Sequence, residues 1–518
     1  MRDRTTGDEA GHEAGHEGLT VIGVPVGEGP PPAEVPAVAA GEPDGPVDTG
    51  GGVLSAGYRT LTLGCVSMIL LIAFEGMAVG TAMPAAAEAL DGVSLYAFAF
   101  SAFFTTSLLG MSLSGQWCDR RGPVGPVLAG IVTFGAGLLL SGAAESMWVF
   151  ILGRAAQGAG GGLVIVALYV AVGRAYPERL RGAAFAAFSG AWVVPSLIGP
   201  LIAGTVTERF SWRWVFLGIT VLVVLPLAVL LPALRRQAAG PPPGGADRFD
   251  GRRLRLALVV ASGAGLLQYG GRELNLMALI PVLAGLALMV PGATRLLPSG
   301  TFLGRRGLPS VIALRGLLSA AYMATQTFLP LMLVTRRGLS YTEAGLALAA
   351  SGALWAFGSW AQSRPWAEGR RERLVRGGTV LLTLGTATTP LVLFDAVPVW
   401  LPVVTLGLAA FGMGLVVSTL GVLVLRLSAP EEAGGNVASL QVCDSLGNVV
   451  MLTLVGSAFA ALGGDSSAVA HDGALEGAVG PAAFVVVYAV TAVTALVSVA
   501  VAGRLTPSSR GTATAAAA

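Results

Sequence analysis

The chain has 518 residues, of which 54% are hydrophobic and only 12% are charged, with a mean hydropathy of +0.72 and a formal net charge of +2 at pH 7. This composition excludes an ordinary water-soluble globular protein, in which about a quarter of the residues are charged. Apolar segments such as residues 215–234 and 482–503 are long enough, at about 1.5 Å per residue, to cross a hydrocarbon core about 30 Å thick. The composition therefore predicts an all-α polytopic membrane protein.

Residues 1–55 are rich in Gly, Pro, Ala, Glu and Asp and contain no aromatic residue, so we expect a disordered tail there. Within this tail His12, Glu13 and His16 follow the order H-E-x-x-H, which on a helix offers two imidazoles to zinc and a glutamate to a water molecule. Nearby glycines and the lack of apolar periodicity leave nothing to nucleate that helix. We therefore predict neither a metal site nor an enzyme.

Fourteen apolar segments follow the tail, and each is predicted to form a membrane-spanning helix. They are residues 60–84, 94–117, 124–143, 147–173, 182–206, 213–234, 253–270, 275–292, 308–335, 342–362, 376–395, 398–425, 434–462 and 481–503. Residues 506–518 are expected to form a second disordered tail.

The basic residues give the orientation. The chain contains no lysine, so all 32 basic residues are arginine. If the N-terminus is cytoplasmic, most arginines fall in the tails and the cytoplasmic loops, as the positive-inside rule requires. An even number of spans then places both termini in the cytoplasm. The absence of lysine beside so much Ala, Gly and Arg suggests a bacterial protein, and hence a multi-pass protein of the inner (plasma) membrane.

Two kinds of site are not predicted. The three cysteines, Cys65, Cys118 and Cys443, have no paired spacing, so we expect neither a disulfide framework nor a metal cluster. A phosphate-binding loop of the form G-x-x-x-x-G-K cannot occur without lysine, so ATP is not expected as a direct energy source. We expect no cofactor, and a proton gradient as the driving force.

A weak internal repeat follows the second and tenth spans. The sequences are GQWCDRRG at residues 115–122 and GSWAQSRP at residues 358–365, and both fit G-x-W-x-x-x-R at the cytoplasmic end of a helix. Each copy follows the second helix of a six-helix block if the seventh and eighth spans are an insertion. Internal repeats are typical of transporters.

The first copy resembles the cytoplasmic loop signature of the major facilitator superfamily, G-x-x-x-D-R-x-G followed by a basic pair. The matching residues are Gly115, Asp119, Arg120 and Gly122. Pro123 and Val124 stand where the family has the basic pair.

Three more segments resemble signatures of this superfamily. The fourth span resembles R-x-x-Q-G-x-G through Arg154, Gln157, Gly158 and Gly160. The fifth span resembles the antiporter signature through Gly199, Pro200 and Gly204. The first span resembles the D-x-T-x-x-N-x-A-x-P pattern of the fourteen-helix drug:proton antiporter branch, with matches at Ala82 and Pro84 and with Glu75 in place of Asp.

This resemblance implies a major facilitator fold, with two six-helix bundles and two extra helices inserted between them (14 TM). We place the first bundle at 56–236, the linker with its two helices at 237–300 and the second bundle at 301–505. The resemblance also implies alternating access, in which Asp119 binds helix N-terminal amides of the other bundle and Arg120 pairs with a carboxylate. A simple positive-inside anchor is the alternative for that loop.

Glu75 and Arg154 are ionisable residues inside predicted spans, where a charge costs about 2.5–3.5 kcal/mol on insertion scales. Counting residues from the helix ends puts both at a similar depth in the outer half of the membrane. We expect Glu75 to bind the coupling proton or a cationic substrate and Arg154 to tune it. A structural ion pair between the two spans is the alternative.

Asp444 and Arg315 are the corresponding candidates in the second block, either as members of a proton relay or as a polar contact between helices. Four amides could line a polar cavity or only bond across helices. They are Gln157, Gln326, Gln441 and Asn448. Gly199, Pro200 and Gly204 are expected to allow close packing, a kink and sliding of the fifth span.

The expected function is a secondary active transporter, a proton-coupled antiporter that exports amphipathic drugs or natural-product-like molecules. The expected partners are protons, membrane lipids and a lipophilic or cationic small molecule, with no nucleic acid, and the chain is expected to work as a monomer. A narrow-specificity metabolite carrier of the same fold and a non-transporting membrane sensor or scaffold remain as alternatives.

Overall fold

The three-dimensional structure is a computed structural model. It describes residues 52–238, 251–270, 276–394, 396–398, 400–428, 433–464 and 480–505. The expected disorder of residues 1–51 and 506–518, together with the H-E-x-x-H sequence, lies outside the described residues.

Sixteen α-helices make up the described residues, together with a few short 3₁₀ and π turns. Those preceding the second block are α1 (Arg59–Ala89), α2 (Tyr96–Arg121), α3 (Val124–Gly142), α4 (Met147–Ala175), α5 (Glu178–Gly190), α6 (Val193–Arg209), α7 (Arg213–Leu222), α8 (Val224–Gln237), α9 (Gly251–Gly270) and α10 (Leu279–Leu296). The second block contains α11 (Leu308–Arg337), α12 (Tyr341–Gln362), α13 (Arg371–Thr388), α14 (Leu401–Leu427), α15 (Ala433–Phe459) and α16 (Pro481–Ala502).

Each of the fourteen predicted spans coincides with one of these helices or with two consecutive ones. Ten helical segments of the described chain are long and apolar enough to cross a membrane, judged by length and composition. Two shorter apolar helices, Leu254–Gly270 and Leu279–Arg295, fall at the predicted seventh and eighth spans. The all-helical membrane fold is therefore confirmed, and the count of fourteen crossings stays a prediction.

Two predicted spans are broken where the sequence analysis expected continuous helices. The fifth is divided into α5 and α6, and the sixth into α7 and α8. Pro195 lies four residues after Ala191 at the first break, and Pro226 lies four residues after Leu222 at the second. A proline ring clashes with the carbonyl group four residues before it and supplies no N–H, which explains both breaks.

Local signals also explain where several helices begin and end. Helix α12 begins with a capping box, in which Ser340 accepts from the N–H of Glu343 while the Glu343 carboxylate accepts from the N–H of Ser340. Helix α11 ends at Gly338, which adopts the left-handed conformation with φ of 61°. These contacts satisfy amide and carbonyl groups that a helix end leaves free.

The two blocks of six spans share one packing pattern. In the first, α4 packs on α2 and α3, while α1 packs on α6 and α8. In the second, α14 packs on α12 and α13, while α11 packs on α15 and α16. Counted by span, the fourth therefore contacts the second and third, and the first contacts the fifth and sixth, in each block. This structural repeat is much clearer than the sequence repeat.

The blocks meet through two matching pairs of helices. Helix α6, in the fifth span of the first block, packs on α12, the second span of the second block. Helix α2, the second span of the first block, packs on α15, the fifth span of the second. The inserted pair α9 and α10 pack on each other, and α9 also contacts α2 and α15. The inserted helices thus lie beside the contact between α2 and α15. The domain boundaries given above stay predictions.

Candidate functional site

A buried ion pair joins the first and fourth spans of the first bundle. Glu75 on α1 is 0% exposed, and Arg154 on α4 is 3% exposed. Arg154 donates a hydrogen bond from Nη1 to Oε1 of Glu75. The similar depths expected from residue counting are thus confirmed by direct contact, whereas the functional roles of both residues stay predictions.

Gln157 extends this pair to a third helix. It accepts a hydrogen bond from Nη1 of Arg154. Its Nε2 donates to the carbonyl oxygen of Gly137 at 3.1 Å and to Oγ of Ser141 at 2.9 Å, both on α3. Of the two interpretations left open for this amide, the structure favours hydrogen bonding across helices, because Gln157 is fully buried.

The buried network has two unmatched polar atoms. Within the described chain, neither Oε2 of Glu75 nor Nε of Arg154 has a hydrogen-bond partner, although both atoms are buried. The guanidinium group also lies 4.6 Å from the ring centroid of Phe103 on α2. A carboxylate oxygen without a donor in apolar surroundings favours uptake of a proton or a cation. The unmatched oxygen makes Glu75 a candidate for reversible protonation.

A second ion pair joins the first and fifth spans of the second bundle. Arg315 on α11 donates from Nε to Oδ1 of Asp444 on α15, at 2.6 Å. These side chains are 12% and 15% exposed, so both are less enclosed than Glu75 and Arg154. Asn448 lies one turn further along α15 and is buried, and its Oδ1 has no hydrogen-bond partner in the described part of the chain. The structure therefore brings together a charged pair and an amide at a partly open position.

The other two predicted amides are not joined to either ion pair. Gln326 is half-buried on α11, and Gln441 is exposed on α15. No hydrogen bond of the described residues connects them to Glu75 or Asp444. Their expected contribution to a polar cavity stays a prediction.

The loop signature lies at the end of α2. Gly122 follows the helix with φ of 83° and ψ of 172°, a conformation open almost only to glycine, which explains this position of the signature. Asp119 and Arg120 are exposed, and a Cβ atom added to Gly115 would meet nothing within 4 Å. In this conformation the Asp119 carboxylate faces solvent, and its expected contact with the other bundle stays a prediction.

The fifth-span signature lies between the bundles. A Cβ atom on Gly199 would lie 3.3 Å from Cβ of Met77 on α1. A Cβ atom on Gly204 would lie 2.8 Å from Cα of Thr342 on α12. Pro200 is buried in the same helix, between these two contacts. Small residues thus allow α6 to touch both its own bundle and the other one.

Two carboxylates that the sequence analysis missed also join the bundles. They lie on α6 and α1, and both accept hydrogen bonds from residues at the start of α12. Glu208 accepts from the N–H of Thr342 at 2.9 Å and from its Oγ1 at 2.6 Å. Glu88 accepts from the hydroxyl group of Tyr341 at 2.9 Å. We call these four residues the α12 clasp.

The α12 clasp has a charge-assisted component. Burial acts to raise the pKa of Glu208, but hydrogen bonds from Thr342, Ser340 and Tyr341 together outweigh it and hold the pKa below its ordinary value. The S-x-x-E capping box at residues 340–343 was the available sequence signal, because it marks a helix start whose amides attract anions. Nothing in the sequence indicated which carboxylates face it.

Two related six-span bundles, each with an ion pair that links its first span to a later one, are the architecture of a polytopic membrane transporter. A family model of the Major Facilitator Superfamily matches residues 65–452. The chain belongs to this superfamily, and it is accordingly a multi-pass transporter of small molecules rather than an enzyme.

Several proteins resemble this chain in sequence. The multidrug transporter protein MdtP of Bacillus subtilis is 25% identical over 429 residues, which cover 79% of this chain and 76% of that protein. Multidrug resistance protein 3 of the same species is 29% identical over 161 residues, 31% of each chain. A probable multidrug-efflux transporter of Mycobacterium tuberculosis is 31% identical over 163 residues, which cover 32% of this chain and 34% of that protein.

Solved structures share the fold. An auto-inhibited peptide transporter of the POT family superposes with a TM-score of 0.62 at 17% identity, covering 86% of this chain and 97% of that one. The human organic anion transporter MFSD10 superposes with a TM-score of 0.56 at 16% identity, covering 86% and 99%. At this level of identity the likeness supports the fold and says nothing of the substrate.

Proposed function

We propose that this chain is a proton-coupled antiporter that exports amphipathic, lipophilic or cationic molecules across the bacterial plasma membrane by alternating access. It works as a monomer, with both termini in the cytoplasm. The observation that carries this proposal is the buried Glu75–Arg154 pair with its unmatched carboxylate oxygen. The multidrug names of the similar proteins support the substrate class.

The two ion pairs divide the work according to their exposure. Glu75 is sealed from solvent in this conformation, so only a small species that travels along transient water can reach it. Asp444 is partly exposed, so a bulky molecule can approach its carboxylate directly. We therefore assign proton coupling to Glu75 and substrate contact to Asp444, with Arg154 and Arg315 as their respective counter-charges.

Protonation of Glu75 changes the balance of the buried network. The neutral carboxyl group loses its charge–charge attraction to Arg154, which keeps Gln157 as an acceptor and Phe103 as its aromatic neighbour. Helix α1 carries Glu75, packs on α6 and touches α11 and α12 of the other bundle. A shift of α1 on protonation therefore reaches the contacts between the bundles and favours one of the two access states.

Energised inverted membrane vesicles with a pH-sensitive fluorophore test this proposal. A panel of lipophilic cations is added to wild type, Glu75→Gln and Glu145→Gln, the last being an exposed carboxylate in the loop before α4. We expect substrate-induced proton release from wild type and Glu145→Gln and none from Glu75→Gln. Equal release from Glu75→Gln would show that the first pair is not the coupling site. No release from wild type with any compound would favour a narrow-specificity carrier.

A further inference from the structure

An arginine-lined cavity lies at the turn between α12 and α13 and shares no residue with either ion pair. Its volume is about 260 Å³. The lining residues are Gly369, Arg370, Arg371, Glu372, Arg373, Leu423 and Arg426. Gly369 has φ of 76°, which lets the chain turn back sharply into α13. We call this cavity the arginine pocket.

The arginine pocket has unbalanced positive charge. Its lining contains four arginines and a single carboxylate, that of Glu372. Oε2 of Glu372 lies 3.8 Å from Nη2 of Arg376, which is outside the pocket. In the described part of the chain, the side chains of the four lining arginines form no hydrogen bond or ion pair. The positive-inside rule explains arginines on this side of the membrane, but it does not explain their convergence on one cavity.

Two further features are N–H donors for which the described residues provide no acceptor. The Nε–H of Arg371 is buried and has no hydrogen-bond partner in the part of the chain that the structure describes. Helix α13 begins at Arg371 without a side-chain cap, so its first amide N–H groups are also open to an anion. A phosphate oxygen is the acceptor that suits both a guanidinium group and a helix start.

The residues around the arginine pocket are of the kind found at the depth of lipid headgroups. Trp360 is 51% exposed and Trp366 is 48% exposed, on the helix and turn that lead into the pocket. Arg364 lies over the Trp360 ring, 4.1 Å from its centroid. Half-exposed tryptophans beside arginines are typical of the membrane–water interface. Leu425 on α14, exposed next to Arg426, continues this surface towards the acyl chains.

The corresponding position in the first bundle differs. The residue before the third span is Pro123 in the first block and Arg370 in the second. The second loop carries three arginines, Arg370, Arg371 and Arg373, with Glu372 between the last two, where the first loop has Pro123, Val124 and Gly125. This divergence indicates a separate role for the second loop.

We propose that the arginine pocket binds the phosphate of a phospholipid whose headgroup carries net negative charge, in the leaflet that α13 faces. A zwitterionic headgroup is disfavoured, because its ammonium group would approach the same arginines. The binding joins the start of α13 to the end of α14 and so anchors the second bundle to the membrane surface. This inference is independent of the transported substrate and of proton coupling.

Native mass spectrometry of the full-length protein in detergent tests the lipid assignment. The protein is titrated with phosphatidylglycerol and, separately, with phosphatidylcholine of the same acyl chains. The variant Arg371→Gln/Arg426→Gln removes two charges from the pocket. The matched control Arg235→Gln/Arg236→Gln removes two exposed charges at the end of α8, on the same predicted side.

We expect wild type and the control to prefer phosphatidylglycerol, and the pocket variant to lose about tenfold in that preference. An unchanged preference in the pocket variant, or an equal loss in the control, would overturn the proposal. Inorganic phosphate at constant ionic strength is then added as a competitor. If it displaces the lipid at comparable concentration, the pocket is a site for free phosphate and the lipid assignment is wrong. Should the double variant misfold, Arg426→Gln alone, at an exposed helix end, carries the same test.

Discussion

Each of the two bundles contains an ion pair, but the two pairs differ in burial and in their neighbours. Each has a charged residue on its first helix, Glu75 on α1 and Arg315 on α11, and each pairs it with the opposite charge on a later helix. The first pair is sealed and tied to a third helix through Gln157. The second pair is partly exposed and has the unmatched amide of Asn448 one turn away.

Both bundles contain a charged pair, so it is the burial of the pair that distinguishes the two proposed roles. A sealed pair can respond to a proton while it excludes larger molecules. An open pair can meet a substrate, but water screens its charge and weakens its effect on the helices.

The largest effect is expected from Arg154→Met, which leaves the Glu75 carboxylate buried without its counter-charge. We expect the free energy of unfolding to fall by about 3–5 kcal/mol, because a lone buried charge is poorly solvated. Denaturant unfolding in detergent micelles, followed by tryptophan fluorescence, measures this change. The double variant Glu75→Gln/Arg154→Met should recover most of the loss, since neither charge then remains.

Arg315→Met is the matched variant in the second bundle. Its loss should be clearly smaller, because water solvates the remaining Asp444 carboxylate. If Arg154→Met and Arg315→Met lowered the free energy of unfolding equally, the difference in exposure between the two pairs would not affect stability.

The next effect concerns substrate affinity. Asp444→Asn should raise the substrate concentration for half-maximal transport by about tenfold, which corresponds to loss of one charged contact. At saturating substrate, proton release per molecule should stay near that of wild type. Transport and pH measurements in the same proteoliposomes give both quantities. Loss of proton release at saturation would instead place Asp444 in the proton path.

A steric change at the bundle interface should impair cycling. The side chain of Gly204→Leu would meet Cα of Thr342, because even a Cβ atom there lies 2.8 Å away. We expect the transport rate to fall several-fold while the protein still inserts and folds. Gly218→Leu is the control, since a Cβ atom at Gly218 meets nothing within 4 Å. Normal transport by Gly204→Leu would show that α6 and α12 need not touch during the cycle.

The smallest effect is expected from the α12 clasp. Glu208→Gln removes the charge that strengthens two hydrogen bonds from Thr342, so the population with separated helix ends should rise about two- to fivefold. Spin labels at Glu145→Cys and Leu391→Cys, one in each bundle, report the separation by electron paramagnetic resonance. Asp91→Asn, an exposed carboxylate near the same end of α1, should change nothing.

The pH dependence of the α12 clasp has a definite sign. Because the folded protein holds the pKa of Glu208 below its ordinary value of 4.5, the contact has its full strength above that value. It should weaken only as the pH falls through the lowered pKa. A change in label separation near neutral pH that persists in Glu208→Gln would have another origin.

Particular elements show what the sequence could predict. Long apolar runs and the prolines within them can be identified in the sequence. The residues around Pro195 and Pro226 were nevertheless predicted to be continuous helix, and the structure shows a break at each. Residue counting placed Glu75 and Arg154 at one depth, and the structure joins them. Glu208 and Glu88 were missed, because a carboxylate at a helix end has no signal that names its partner on a helix more than 130 residues away.

Hydropathy, prolines and short signatures act locally along the chain, so the membrane environment, the helical segments and the superfamily follow from the sequence alone. The three-dimensional packing is needed to show which charges are buried, which are partly exposed and which arginines converge on one cavity. Those properties depend on the rotation of each helix about its axis and on its neighbours in space. A single side chain cannot encode either of them.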